Sequence, residues 1–266
     1  MSFEEKEKYR FDDLVEIVKM LRAPDGCPWD KVQTHKSIRN NFIEEVYEAV
    51  EAIDTENTEL LKEELGDVLL QVVFHSQMES ETGNFNIDDV ADGICKKLII
   101  RHPHIFADVK ADNADEVLKN WDAIKMKTKS QASQGEVMQG ISKALPSLIR
   151  SAKVQHKAAK VGFDWNSVDG ALDKVDEELA ELREAIASGT DADRAEELGD
   201  LLFAVVNVSR FIKTDAEEAL YNACEKFIDR FTQVEKLAKE RNIEMSHTNL
   251  SELDSLWEEV KIKSEL

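Results

Sequence analysis

The sequence has little glycine, proline, cysteine or aromatic residue for its length, and each shortage excludes a class of protein. Its 266 residues include 10 Gly and 4 Pro, and 7% are aromatic. So few turn formers, with abundant Glu, Ala, Leu and Lys, indicate a mostly helical protein. The three cysteines, Cys27, Cys95 and Cys224, form no Cys-x-x-Cys pair, which argues against a disulfide framework and a thiolate zinc site.

Long apolar runs and an excess of basic residues are also missing. No run approaches the roughly 18 to 20 apolar residues that span a bilayer, and the charged N-terminal segment lacks the apolar core of a signal peptide. Lys and Arg number 34 against 55 Asp and Glu, a formal charge of −21. We therefore expect a cytoplasmic protein that binds neither membrane nor nucleic acid directly, because both need a positive surface. A polyanionic ligand would require a cation between itself and the protein.

Helical periodicity covers most of the chain, and no stretch shows sustained strand alternation, so the predicted fold class is all-α. Helices are predicted at 11–22, 38–54, 58–82, 88–101, 114–128, 146–160, 169–187, 191–213, 216–241 and 250–264. The segment 131–140 is polar, rich in Gln and Ser and without periodicity, which predicts a linker. It would separate an N-terminal domain, 1–130, from a C-terminal domain, 141–266.

The two halves of the chain repeat one another. EEVYEAVEAI and EELGDVLLQVVF in the first half correspond to DEELAELREAI and EELGDLLFAVV in the second. At a single offset, four acidic residues of the first half, Glu45, Glu48, Glu64 and Asp67, correspond to Glu178, Glu181, Glu197 and Asp200. A second offset relates Cys95, Lys97 and Arg101 to Cys224, Lys226 and Arg230. Trp121 and Trp257 lie near the ends of the two halves. The pattern indicates an internal duplication.

Each half therefore carries a quartet of carboxylates, E-x-x-E on one helix and E-x-x-D on the next. Residues three apart share a helix face, and a short loop near 188–191 would let two antiparallel helices bring both pairs together. Four close carboxylates repel one another unless protons or cations compensate them, and oxygen ligands select Mg²⁺, Mn²⁺ or Ca²⁺. The alternative is a solvated helix face, since Asp and Glu make up about a fifth of the chain.

Two neighbouring features favour the metal site. The apolar runs Val68–Phe74 and Leu201–Val206 follow the E-x-x-D pairs directly, and a helix that is apolar nearly all round is buried. The carboxylates would then lie at the edge of a core, where acids need a partner. Gly66 and Gly199 lie mid-helix between the acids, where Gly costs about 1 kcal/mol relative to Ala. This predicts the close approach of another backbone or of a ligand.

The basic pairs at i, i+4, Lys97 with Arg101 and Lys226 with Arg230, suit phosphate oxygens. Ordinary salt bridges to the abundant acids account for them equally well. A tryptophan such as Trp257 would stack on a base or pack in a core near a helix end. Carboxylates for a metal, cations for phosphate and an aromatic ring for a base together fit a magnesium nucleotide.

Other site types have less support in the sequence. Gly-rich phosphate-binding motifs of the P-loop and Rossmann types are absent. The Glu-x-x-His motif of di-iron bundles occurs once, at Glu244–His247, without a duplicate. A non-catalytic helical interaction module, in which the first domain dimerises or regulates, remains a second hypothesis.

Several motifs in this order resemble those of the MazG nucleoside triphosphate pyrophosphohydrolases. They are CPWDKVQTH (27–35), NFIEEVYEAVEAI (41–53), EELGDVLLQVVFHSQM (63–78), RHPHIF (101–106), VGFDW (161–165) and EELGDLLFAVVNVSR (196–210). The resemblance covers nearly the whole chain and implies tandem all-α domains that assemble as a homodimer with a four-helix-bundle-like arrangement. It also implies Mg²⁺-dependent cleavage between the α and β phosphates of nucleoside triphosphates, giving the monophosphate and pyrophosphate, in nucleotide-pool housekeeping.

The resemblance assigns roles residue by residue. The Mg²⁺ ligands, with Mn²⁺ as an alternative ion, would be Glu178, Glu181, Glu197 and Asp200. The nucleotide contacts would be Lys174, Glu177, Arg194, Glu196, Asp200, Lys226, Arg230 and Trp257. Glu177 or one of the metal ligands would orient or deprotonate the attacking water.

The first half carries a second set of the same residue types, with one exception. Its metal ligands would be Glu45, Glu48, Glu64 and Asp67, accompanied by Lys97, Arg101 and Trp121. Asn41 holds the position that Lys174 has in the second half. The second half is therefore predicted to be the main catalytic domain.

Overall fold

The described residues fold into helices and contain no strand, so the predicted all-α class is confirmed. The structure is a computed structural model and describes residues 5–107, 132–247 and 250–264, with part of 113–128. The first helices are α1 (Phe11–Arg22), α2 (Arg39–Asp54), α3 (Thr58–Thr82), α4 (Ile87–Arg101) and α5 (Pro103–Phe106). They are followed by α6 (Gln134–Gln139), α7 (Ser147–Ala159), α8 (Val168–Ser188), α9 (Asp191–Phe211), α10 (Ala216–Glu240) and α11 (Leu250–Ser264).

The predicted helices agree with these bounds to within two residues at each end. The helix predicted at 114–128 lies largely outside the described residues. The segment 131–140 differs from its prediction, because α6 forms within it. The Ser133 side chain accepts a hydrogen bond from the Glu136 N–H and so caps α6, while the Gln134 amide donates to the Lys157 carbonyl on α7 at 2.5 Å. The polar composition of this segment gave no sign of a short helix, and that helix is tied to α7 by a hydrogen bond.

The chain forms two compact units, Met1–Lys125 and Met126–Leu266. In each unit the central element is an antiparallel pair of helices, α2 with α3 and α8 with α9. The position of the linker between the predicted domains stays a prediction.

The α8–α9 turn is set by a capping box. The Thr190 side chain accepts a hydrogen bond from the Asp193 N–H, and the Asp193 carboxylate accepts one from the Thr190 N–H at 2.7 Å. These two bonds satisfy backbone donors that a helix start leaves open. The turn contains only Gly189 and Thr190, so α9 runs back along α8 and places their acidic residues side by side.

The core of the first unit forms where α1 packs on α3. Val18 is fully buried there with Val73, Phe74 and Met78, and Ile38 closes the cluster. In the second unit, α10 and α11 share a separate apolar cluster of Val234, Ala238, Leu256 and Val260.

Many apolar side chains of the described helices remain exposed within a single chain. The runs Val68–Phe74 and Leu201–Val206 were predicted to be buried all round, and this is wrong for a single chain. Leu202 and Val205 are 52% and 48% exposed. Contiguous apolar surface of this kind marks an interaction site. None of the described helices combines the length and apolarity needed to cross a membrane.

Candidate functional site

Three carboxylates of the second unit meet between α8 and α9. Glu178, Glu197 and Asp200 each offer one oxygen, and these three atoms lie within 4.8 Å of one another. Glu178 is buried, Glu197 is half-buried and Asp200 is exposed. The cluster therefore lies at the edge of the helix pair and is open to solvent on one side. This position suits a site that takes up an ion from solution and releases it again.

Mutual repulsion is evident at Glu197. Burial raises the pKa of this carboxyl above its ordinary value of 4.5, and the charges of Glu181, Glu178 and Asp200 raise it further. Glu181 thus acts on the cluster electrostatically, although its oxygens are not among the three that meet. Three members of the predicted quartet therefore meet, and the fourth lies near enough to act on them through its charge.

Lys174 brings a positive charge into contact with the cluster. Its ammonium lies 2.6 Å from a Glu178 oxygen and 2.9 Å from a Glu177 oxygen, and these hydrogen bonds raise the lysine pKa. The second Glu178 oxygen, Oε2, is buried and has no hydrogen-bond partner among the described residues. A buried carboxylate oxygen without a partner is unfavourable, so the donor set of this cluster fits a hard divalent cation.

The raised pKa of Glu197 predicts a stability effect. We expect Glu197→Gln to raise the melting temperature of the metal-free protein near pH 8. Because the folded state holds the Glu197 proton more tightly than the unfolded chain does, this carboxyl favours folding below about pH 4.5, and its contribution is lost as the pH rises through the folded pKa. The glutamine amide carries no charge at any of these pH values, so the variant does not lose this stability as the pH rises.

Melting curves in EDTA across this pH range measure the difference, with Glu184→Gln, an exposed carboxylate on the partner helix α8, as the control. The gap between variant and wild type should be widest at high pH and should narrow on acidification. A Glu197→Gln protein that melts at or below the wild-type temperature near pH 8 would contradict the repulsion.

The equivalent acids of the first unit also cluster, but the three whose oxygens meet are not all counterparts of the three in the second unit. Here Glu45, Glu48 and Glu64 each contribute an oxygen within 4.8 Å of the others. Burial is the largest cause of the raised pKa at both Glu45 and Glu64, and neighbouring charges, including that of Asp67, add to it. In each half, three acids of the predicted quartet meet in space, and the fourth, Asp67 or Glu181, acts on them through its charge.

Two substitutions distinguish the first cluster from the second. Asn41 stands in place of Lys174, so the first cluster has no lysine at this position. Gln71 stands where the second unit has Ala204, and its hydrogen bond to Glu45 lowers the pKa of that carboxyl, against the effect of burial. An amide therefore occupies space beside the first cluster that is open beside the second.

A cavity of about 600 Å³ adjoins the second cluster, with Lys174, Glu178 and Asp200 in its wall. The rest of the wall comes from Met138 of α6, from α7, from α9 and from the loop 161–165 that precedes α8. Sequence reasoning missed these wall residues. The motifs VGFDW and EELGDLLFAVVNVSR were visible, but they assigned no role to the loop residues, to Asn207 or to Arg210, and nothing in the sequence marked Gln155.

The predicted phosphate-binding residues of α10 lie apart from the acidic cluster within one chain. Lys226 is exposed and Arg230 is half-buried, and among the described residues neither makes an ion pair or hydrogen bond with the cluster. Trp257 packs against Phe227, with ring centroids 5.1 Å apart, at the edge of the α10–α11 core. Their nucleotide contacts stay predictions.

The other predicted contacts have local partners. Arg194 donates hydrogen bonds to the Ala185 and Gly189 carbonyls and pairs with Asp191 at 2.5 Å, so it stabilises the end of α8. Glu196 is exposed on α9, beside Glu197. The nucleotide-binding roles of Arg194 and Glu196 stay predictions.

The basic residues of the first unit differ in exposure. Arg101 is buried and stacks over Trp121, with its guanidinium carbon 5.1 Å from the ring centroid, while Lys97 is exposed. Their phosphate-binding roles stay predictions.

The two mid-helix glycines lie beside open space. A Cβ atom placed at Gly66 or Gly199 would meet nothing within 4 Å. The predicted close approach of another backbone is therefore not found among the described residues of the chain. The open strip next to each acid pair is compatible with a ligand or a second molecule.

Comparison with known proteins gives a consistent result over nearly the whole chain. The family model described as "MazG nucleotide pyrophosphohydrolase domain" matches twice, at residues 33–106 and 167–235, which confirms the tandem duplication. The chain is 43% identical over 251 residues to a Thermotoga maritima protein named nucleoside triphosphate pyrophosphohydrolase/pyrophosphatase MazG, covering 94% of this chain and 95% of the relative. It is also 43% identical to an Escherichia coli nucleoside triphosphate pyrophosphohydrolase, covering 95% of this chain and 97% of that one. The uncharacterized protein YabN of Bacillus subtilis is 46% identical over 97% of this chain, which spans 53% of YabN.

Proposed function

Because the chain belongs to the MazG nucleotide pyrophosphohydrolase family, we propose that it is a hydrolase of nucleoside triphosphates. The reaction would break the α–β phosphoanhydride bond and release a nucleoside monophosphate and pyrophosphate, in nucleotide-pool housekeeping. The observation that carries this proposal is the three-carboxylate cluster of Glu178, Glu197 and Asp200 beside Lys174 and an open cavity.

The proposed metal site is the second-unit quartet. Glu178, Glu197 and Asp200 would hold Mg²⁺ or Mn²⁺, with Glu181 adding negative charge beside them. A bound Mg²⁺ supplies charge neutralisation on the phosphate oxygens and lowers the pKa of its water. The fit rests on the unpartnered Glu178 oxygen and on the burial and mutual repulsion that raise the Glu197 pKa.

The remaining chemistry falls to nearby side chains. Lys174 would bind a phosphate oxygen with the ammonium that now pairs with Glu177 and Glu178. Water attacks the α phosphorus, its oxygen forms the new bond, and the bond from that phosphorus to the bridging oxygen breaks. Glu177 and Glu181 flank the three ligands, and one of them would accept the proton of the attacking water. The electron pair of the broken bond leaves with pyrophosphate.

A homodimer is part of the proposal. The exposed apolar residues of α9 and α10, including Leu202, Val205 and Leu220, would be covered by a second copy. Dimerisation offers a route by which Lys226 and Arg230 reach the phosphates, since α10 packs on α7 and α11 within its own chain. The cytoplasmic location stays a prediction.

A pyrophosphate-release panel tests the proposal. The full-length protein is incubated with each ribo- and deoxynucleoside triphosphate, with Mg²⁺, with Mn²⁺ or in EDTA, and the products are separated. Monophosphate and pyrophosphate in equal amounts, only when metal is present, are expected. Nucleoside diphosphate with orthophosphate would show cleavage between the β and γ phosphates and would contradict the proposed reaction. Inactivity under every condition would favour the non-catalytic interaction module.

A further inference from the structure

Three titratable side chains of the first unit form a hydrogen-bonded chain between α3 and the segment that precedes α2. Glu79 Oε1 lies 2.6 Å from His35 Nε2, and His35 Nδ1 lies 2.7 Å from His75 Nδ1. His75 and Glu79 are four residues apart on α3 and so share one face of that helix, whereas His35 lies just before α2. None of the three belongs to either acidic cluster.

The two imidazole rings lie edge to edge and share nearly one plane. They are within 6° of parallel, with centroids 5.0 Å apart. Stacked rings would keep their planes roughly 3.5 Å apart, so parallel rings whose nitrogens approach to 2.7 Å are not stacked. The contact is therefore an N–H···N hydrogen bond, which holds a single proton between the two Nδ1 atoms.

The position of each proton follows from Glu79. Asn84 donates a hydrogen bond to Glu79 Oε2 at 2.7 Å, and this bond, together with the one from His35, holds the pKa of the carboxyl below its ordinary value of 4.5. An ionised carboxylate only accepts, so His35 donates from Nε2. Neutral His35 then accepts at Nδ1, and His75 donates from its own Nδ1. The other His75 nitrogen, Nε2, is buried without a hydrogen-bond partner among the described residues.

Added protons are unfavourable for this arrangement. A first proton requires His75 to accept at Nδ1 and to carry its N–H on Nε2, where the buried donor would have no acceptor. A second proton would place an N–H on both facing Nδ1 atoms and break the bond between the rings. Burial lowers the pKa of His75 below its ordinary value of 6.5, and the charge of His35 lowers it further.

The surroundings of His75 add little charge. A small cavity beside it, of about 320 Å³, has no titratable side chain in its wall other than these three, among the described residues. The rest of that wall consists of Phe42, Val72, Ser76, Phe85 and Val90. One turn before His75 on α3, Gln71 bonds to Glu45 of the first acidic cluster, so an uncharged side chain follows His75 on this face.

A second attachment of the same segment has no histidine. Arg22 of α1 pairs with Glu81 of α3 at 2.8 Å and also donates to the carbonyls of Asp30 and Gln33. Arginine stays ionised, and its hydrogen bond lowers the pKa of Glu81. This attachment should not change near neutral pH, so a response to protons is confined to the residues after Gln33.

The second unit holds its corresponding segment by a different chemistry. Val208 and Ile212 stand where the first unit has His75 and Glu79. There Asp164, in the segment before α8, pairs with Arg210 of α9, with one nitrogen–oxygen distance of 2.8 Å. The guanidinium holds the pKa of Asp164 below its ordinary value, so this pair stays ionised at mildly acidic pH.

We infer that the histidine clasp (His35, His75 and Glu79) is a proton-sensitive attachment that holds residues 34–38 on α3 near neutral pH and releases them on acidification. The closed clasp binds protons less well than the released segment does. Its stability is therefore present above about pH 6.5 and is lost as the pH falls below that value. The attachment is independent of the proposed reaction, since neither acidic cluster takes part in it.

Release would also loosen the start of α2. Ile38 immediately precedes that helix, is 4% exposed and packs with Val73 and Phe74 in the core of the first unit. The Ile38 carbonyl accepts the hydrogen bond of the Phe42 N–H. Movement of residues 34–38 would therefore disturb the first turn of α2.

Amide hydrogen exchange of the full-length protein tests the clasp. Exchange is followed from about pH 8 to about pH 5.5 and corrected for the intrinsic rate at each pH. The Ser37 and Ile38 N–H groups, which donate to the Thr34 carbonyl, report on the segment. Their protection should fall by about fivefold or more at the acidic end. The Phe163 N–H, which donates to the Ala158 carbonyl beside the Asp164–Arg210 pair, should keep its protection.

Replacement of one histidine isolates the cause. His75→Val takes the residue of the second unit and leaves the first acidic cluster unchanged, so the protection of residues 34–38 should no longer depend on pH, whatever its level. His156→Gln, which removes an exposed histidine from α7, should keep the wild-type pH dependence. Protection that is constant with pH in the wild type, or a fall that persists in His75→Val, would overturn the clasp.

A second measurement needs no variant. The imidazole signals of the wild type are followed by nuclear magnetic resonance over the same pH range, and His75 is identified by its contact with the Phe42 ring. Its titration midpoint should lie below about 6.5, the value of a free histidine. A His75 that titrates at or above that value would show that the closed clasp accepts protons freely, and would contradict the inference.

Discussion

Replacing Asp200 with Asn, or Glu178 with Gln, should lower the rate of pyrophosphate release by about 100-fold or more while the protein stays folded. Each change removes one charge from the three oxygens that meet within 4.8 Å. Outer-shell partners of metal ligands alone are worth about 10- to 100-fold, so a ligand should be worth at least as much. Both replacements conserve size, so the helix pair should remain intact.

Pyrophosphate release at saturating ATP and Mg²⁺ measures the effect, and far-UV circular dichroism verifies the fold. Glu184→Gln is the matched control, because it removes an exposed carboxylate from the helix that carries Glu178. Near-normal turnover by a folded Asp200→Asn or Glu178→Gln protein would remove these residues from the site.

Replacing Lys174 with Met should raise the KM for ATP by about tenfold or more. The ammonium lies 2.6 Å from Glu178 and is the charge that the first unit lacks. Its removal takes away a charge-assisted contact to phosphate and leaves the cluster more negative. The same loss of positive charge should favour binding of the cation, so the Mg²⁺ concentration for half-maximal activity should stay the same or fall.

These opposite directions distinguish a phosphate-binding role from a structural one. Damage to the helix pair would weaken ATP and Mg²⁺ binding together, whereas Lys174→Met should separate them. Steady-state rates over a grid of ATP and Mg²⁺ concentrations give both constants, with Lys239→Met, an exposed lysine near the end of α10, as the control. An unchanged KM for ATP would contradict the assignment.

Local sequence signals predicted the parts of the site that depend on one helix pair. The i, i+3 spacing of Glu178 with Glu181, and of Glu197 with Asp200, already sets each pair on one face. The Thr190–Asp193 capping box and a two-residue turn then bring the pairs together. The same spacing recurs in the first half, which supports the prediction from the sequence alone.

The cavity could not be predicted, because it depends on packing between distant segments. Gln155 and Phe203 are 48 residues apart and meet where α7 crosses α9. In the sequence, Gln155 looks like an ordinary polar residue between lysines, and its burial follows from the tertiary fold. The same limit applies to Arg194, whose hydrogen bonds to α8 carbonyls use the donors that a phosphate contact would use.

The apolar runs show a second limit of sequence reasoning. Hydrophobicity on all sides of the run Leu201–Val206 indicates burial, yet it does not distinguish burial inside one chain from burial against another copy. Leu202 and Val205 are exposed in a single chain. The apolar pattern that predicted a core therefore fits the proposed dimer interface instead.

The central claim is that the second acidic cluster, and not its duplicate, carries Mg²⁺-dependent pyrophosphate release. The most direct measurement compares two double variants of the full chain, Glu45→Gln with Glu64→Gln and Glu178→Gln with Asp200→Asn, in ATP and Mg²⁺. The first pair should keep most of the wild-type rate, because Asn41 replaces the lysine there and because Leu70 and Phe74, at the positions of Phe203 and Asn207, pack in the core of that unit. The second pair should release pyrophosphate at background rate. Activity lost with the first pair and retained with the second would contradict the account.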